Sequence, residues 1–177
     1  NLFQIGINLG FIKKHHLRFR KTKFWDDVLF NADMQPLIES ATLLPDITYN
    51  YVIRPNSLSN FQSRDVITID EIRQHINNQV YLKEQCISLK GKSYFETRVT
   101  KVVLAMFYTL IGVIRNRATL SEPIASSDIR DAMRHPLPLG DILRFKKYKT
   151  ENLMFWTIGI MPSSLSVFLL TIIGKVN

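Results

Sequence analysis

No charged residue occurs from Asn152 to Gly174, in a run that closely follows the basic stretch RFKKYK at residues 144–149. From Leu153 the run reads LMFWTIGIMPSSLSVFLLTIIG, twenty-two residues, about 33 Å long as one helix and close to the hydrocarbon thickness of a bilayer. It admits two readings. In lipid, the basic collar holds the leading end on the cytoplasmic or matrix side, and Trp156 sits near the interface. In a soluble core, LMFWTIGI and LSVFLLTII are strand-like and MPSS at residues 161–164 is the turn of a buried β-hairpin. Pro162 and its neighbouring serines fit a turn naturally, whereas in lipid the freed backbone needs other helices to satisfy it.

A second apolar stretch lies within a helix expected over residues 93–117. Its uncharged centre, Val102 to Ile114, has thirteen residues and rises only about 20 Å, short of a full span, so a central core helix is the expectation. The two runs are nonetheless consistent as a helical hairpin, because the segment joining them is cationic and belongs on the inner side of a membrane. The fold class expected is α+β, mostly helical. A small basic, α-rich domain with a short strand occupies residues 1–100. Residues 101–177 then supply an apolar helix, a basic connection, and a C-terminal apolar helical hairpin or single transmembrane helix.

Within the first hundred residues, Trp25, Val28, Leu29 and Ala32 share one face at helical spacing. Pro36 opens a second short helix over residues 37–43, and Pro45 ends it. DITYNYVIR at residues 46–54 alternates and predicts a strand. Thr68-Ile-Asp-Glu71 is a capping box, followed by the stripe Ile69, Ile72, Ile76, Val80, so a helix is expected over residues 69–82. Residues 85–89 form a short strand in this reading, and residues 141–149 an amphipathic helix feeding the final run.

Net charge is +8 and the isoelectric point is near 9.7, which selects anionic partners. The densest basic block combines Lys13, Lys14, Arg18, Arg20, Lys21 and Lys23 with aromatics that include Trp25. Together with Lys146 and Lys147 these are the candidate anionic-partner residues. Such a block suits anionic lipid headgroups with aromatics at the interface, or RNA phosphates with stacked bases, or a solvated face over a core. His15-His16 point to different faces and lack a third ligand, so no metal site is expected. Gly91-Lys-Ser93 resembles the end of a phosphate loop, but Cys86 stands where its first glycine belongs, and the match fails. Cys86 reads as a buried, inert thiol.

No residue set converges on a reaction, and neither an enzyme nor a cofactor is expected. The reading is a non-catalytic structural or accessory subunit of a larger membrane-associated assembly, anchored by the C-terminal apolar segment, with other protein subunits as partners. Its basic composition, single cysteine and lack of glycosylation sequons suit the mitochondrial inner membrane. The alternative is a soluble structural protein of a ribonucleoprotein, of the organellar ribosomal type, binding RNA through residues 13–25.

Overall fold

The computed structural model describes residues 6–42, 68–120 and 122–176. The protein is mostly helical, at 69% helix, with no strand among the described residues. The α+β expectation is therefore corrected to mostly helical. The strand expected over residues 46–54 lies outside the described residues. The one expected over residues 85–89 is a 3-10 turn, Cys86–Leu89, continuing directly from the preceding helix.

Two compact units divide the chain, Asn1–Asp65 and Val66–Asn177. The boundary expected near residue 100 falls inside a helix. In the first unit, α1 (Leu9–Lys14) opens on Asn8, whose side chain accepts from the amides of Gly10 and Phe11. It closes on a Schellman motif: Leu17 N–H bonds Ile12 O, His16 N–H bonds Lys13 O, and His16 takes the left-handed conformation at φ 51°. The second histidine of the His15-His16 pair thus has a backbone role. Helix α2 (Asp26–Met34) carries Asp26 and Asp27 in its first turn, where carboxylates favour the exposed amides. It buries Leu29, Phe30, Ala32 and Met34. Pro36 yields a 3-10 turn, Gln35–Leu37, and residues 38–42 of the short helix expected over 37–43 are not helical, its last residue lying outside the described residues.

The second unit is built around α4 (Phe95–Arg115), against which α3 (Ile69–Gln85), α7 (Lys149–Ile160) and α8 (Ser163–Val176) pack. The expected capping box forms at the start of α3: Thr68 Oγ accepts from Glu71 N–H while the Glu71 carboxylate accepts from Thr68 N–H. Gly91, at φ 92°, supplies the left-handed turn between the 3-10 segment and α4. Two short helices, α5 (Ser126–Ala132) and α6 (Leu139–Leu143), cover α7, and α5 also reaches α8. The helix expected over residues 141–149 does not form as one piece. Phe145 turns inward against Phe95, ring centroids 5.9 Å apart, and Tyr148 enters α7 from a left-handed conformation at φ 56°.

The C-terminal run is neither a β-hairpin nor one straight helix. Its start is tied to the beginning of α4, where Asn152 Nδ2 donates to Thr100 Oγ1 at 2.8 Å. Its end is tied to the close of α4, where Arg115 donates to the Gly174 carbonyl and Ile111 lies against Gly174. Thr100 and Ile111 are about 17 Å apart along their helix, but Asn152 and Gly174 would be about 33 Å apart along a straight one. The run must bend to meet both anchors, and it breaks at Met161 and Pro162. Ser166 seals the break, its hydroxyl donating to Ile158 O at 2.6 Å at the end of α7.

One described helix, α4, is long and apolar enough to cross a membrane by length and composition; 56% of its apolar window is buried inside the protein. The length that the thirteen-residue estimate missed comes from both flanks, where Phe95, Val99 and Arg115 extend the helix to twenty-one residues.

Candidate functional site

The basic block lies on α1 and the extended segment that follows it. Lys13 and Lys14 close α1, while Arg18, Arg20, Lys21 and Lys23 lie between the two helices, all six exposed. Arg20 reaches Asp33 of α2 at 3.2 Å. The aromatics of the block turn inward to different degrees. Phe24 is buried, Trp25 is half-buried in a left-handed conformation at φ 62°, and Phe19 stacks on buried Phe30 with centroids 4.4 Å apart. Lys146 and Lys147 belong to the second unit. Their side chains are exposed, and their backbone amides both donate to Glu96 Oε2, at 3.0 and 2.8 Å. Six candidate cations and Trp25 therefore share one segment of the first unit, and the remaining two lie in the second.

The second unit holds a polar node that the sequence did not single out. Lys83 is 4% exposed and its ammonium donates to the carbonyls of Ala132 and Arg134, at the end of α5, the second at 2.8 Å. A cation there complements both the unpaired carbonyls and the helix dipole. The Lys83 nitrogen also stands 5.4 Å from the centre of the Phe155 ring. Burial nevertheless lowers the Lys83 pKa to about 8, with Glu84 opposing.

Beside it runs a directional chain. Leu137 N–H donates to His135 Nδ1 at 3.0 Å, so the ring proton sits on Nε2 and points to Asn152 Oδ1, also at 3.0 Å. Asn152 spends its two amide hydrogens on Thr100 Oγ1 and Tyr148 O, and Thr100 passes its own to Glu96 O. Burial lowers the His135 pKa and the charge on Lys83 adds to this, while the bonds a charged ring would donate to Asn152 and to the Leu137 carbonyl, 3.3 Å from Nδ1, oppose the shift. The neutral tautomer is the one this wiring requires. These bonds join the loop after α5 to α7 and α4, and their reach is internal.

Cys86 is buried, its Sγ–H donating to Leu82 O, and burial pushes the thiol up to about 11. At pH 8 that leaves about a hundredfold less thiolate than an ordinary cysteine carries. A maleimide or disulfide reagent is expected to label Cys86 at least that much more slowly in the native protein than in denaturant. Equal rates would place the thiol at the surface.

Among the described residues no group of three His, Cys, Asp or Glu side chains is placed to hold a metal ion. Helix α8 offers a different kind of surface. Ser166, Leu170 and Gly174, four residues apart, are buried beneath it. Leu165, Phe168 and Ile172 line the opposite side and are exposed, Phe168 by 59%. Ile160, at the end of α7, is 60% exposed beside the break. No family model, curated protein or solved structure matches the chain.

Proposed function

We propose that this chain is a non-catalytic accessory subunit of a membrane-associated assembly, held there through the outer face of α8. The observation that carries this reading is that α8 carries no charge before Lys175 and leaves Leu165, Phe168 and Ile172 exposed, although only its opposite side packs against the bundle. A helix apolar all round belongs in a protein interior or in lipid. The end of α7 and the outer side of α8 continue one apolar surface, free of charge until Lys175. Basic residues precede it at Arg144, Lys146, Lys147 and Lys149, the arrangement that favours an anionic membrane surface. The non-catalytic part of the reading is supported by where the perturbed groups are committed. Lys83 serves helix carbonyls, His135 serves Asn152, Cys86 is held as a thiol, and His75, whose pKa burial lowers, meets the Gln79 side-chain amide at 3.1 Å.

Partition of the full chain onto neutral phosphatidylcholine vesicles tests the anchor. The unmodified chain floats with the vesicles. Replacing Leu165, Phe168 and Ile172 together by serine lowers partition on the order of a hundredfold, since each half-exposed side chain contributes about 1 kcal/mol of transfer. A chain that stays in the aqueous phase whether or not α8 is altered rejects the reading. The mitochondrial inner membrane is the compartment that the basic composition and single cysteine suit. Fractionation of tagged protein away from mitochondrial membranes would reject that compartment and leave the anchor standing.

A further inference from the structure

We propose that residues 9–23 of the first unit form a second lipid contact, a surface for anionic headgroups with Leu9 and Phe19 entering the bilayer interface. This extends the membrane-associated reading but rests on different residues. Lys13, Lys14, Arg18, Lys21 and Lys23 are exposed, and none of them takes part in an ion pair among the described residues. The acids of the described first unit are engaged or lie elsewhere in sequence: Asp33 holds Arg20, Asp26 with Asp27 sits in the first turn of α2, and Glu39 follows the 3-10 turn. Leu9 is 70% exposed and Phe19 58%. Leu9 stands one helical turn before Lys13, so the apolar side chain and the cation share a face of α1. That pairing of an inserted apolar group with a snorkelling lysine is how interfacial segments seat themselves.

The same residues argue for lipid over RNA. Base recognition by such a segment needs free aromatic faces. Here Phe24 is buried, Trp25 is half-buried, and one face of Phe19 is covered by Phe30. The most exposed apolar side chain is an aliphatic leucine, which offers no stacking face. Four of the six cations are lysines, point charges without the planar fork that reads phosphate bidentately, and Arg20, one of the two arginines, is held by Asp33.

The test compares the full chain on phosphatidylcholine vesicles with and without phosphatidylserine. A variant carrying Lys13→Gln, Lys14→Gln, Lys21→Gln and Lys23→Gln, all at exposed positions, is run alongside. The expected result is that phosphatidylserine strengthens partition of the unmodified chain by about a hundredfold. Added salt collapses that gain, and the variant loses the larger part of it, keeping the share that Arg18 and the basic residues at 144–149 supply, with partition onto neutral vesicles unchanged. Leu9→Ser weakens binding to the anionic vesicles in the otherwise unmodified chain. An undiminished phosphatidylserine gain in the quadruple variant overturns the proposal. So does tight binding to single-stranded RNA that the variant loses, in a chain that shows no phosphatidylserine gain. Failure of the α8 anchor has a separate signature, loss of neutral-vesicle partition with the phosphatidylserine gain intact.

Discussion

Replacing Gly159 by alanine is expected to destabilise the second unit by about 3 kcal/mol, although alanine is the better helix former by about 1 kcal/mol. The methyl group would stand 2.5 Å from Met133 O, 2.9 Å from Met133 C and 3.1 Å from Arg134 Cα. All three are backbone atoms of the segment leaving α5, so no rotamer change relieves the contact. The backbone must move apart instead. Met133 lies between Ala132 and Arg134, whose carbonyls Lys83 holds. Separating α5 from α7 therefore loosens the polar node as well as the packing. Thermal unfolding should fall by on the order of 10 °C for a unit of this size. Gly112→Ala is the control. A methyl there meets nothing within 4 Å on α4, so only helix propensity acts and stability should rise by about 1 kcal/mol. Equal effects from the two substitutions would show that α7 does not approach α5 this closely.

The contrast between these two glycines shows what was legible in the sequence. Helices α3 and α4 were readable because each announces itself locally: a capping box and an isoleucine stripe for the first, a long apolar centre for the second. The C-terminal run was not, because its conformation is decided by two distant anchors. Asn152 and Gly174 look unremarkable in sequence, yet one is tied to Thr100 and the other lies against Arg115 and Ile111. Pro162 permits the break and the anchors impose it. The fold label went astray for a related reason. Residues 85–89 lack the length to declare a period, and α3 simply continues through them as a 3-10 turn. The basic block was visible from composition, but the inward turn of its aromatics depends on α2, which charge patterning cannot supply. Nothing in the sequence sets Lys83 apart from the other lysines. A single lysine four residues after Gln79 gives no sign that α5 will end beside it.

That lysine makes the second large prediction, and its sign follows from burial. The Lys83 pKa is about 8 in the folded protein and 10.5 in its ordinary state. Below pH 8 the amine is protonated in both states and the pKa difference adds no pH dependence. Between pH 8 and 10.5 the unfolded chain binds more protons, so stability from this group rises with pH, by at most about 1.4 kcal/mol per unit. A neutral amine keeps two hydrogens, enough for the carbonyls of both Ala132 and Arg134, which is why losing the charge need not break the node. Lys83→Met removes both donors and leaves two buried carbonyls unmet, at a cost of about 2 kcal/mol at pH 7. Raising the pH to 10 widens the gap between the unmodified protein and the variant by about 2–3 kcal/mol, because only the former gains. Denaturant unfolding of both proteins across that range measures the difference and cancels the other titrating groups. A gap that closes as pH rises would mean the ammonium charge itself holds α5 in place. Combining Lys83→Met with Gly159→Ala should cost less than the sum of the two, since each disturbs the same stretch of backbone from Ala132 to Arg134.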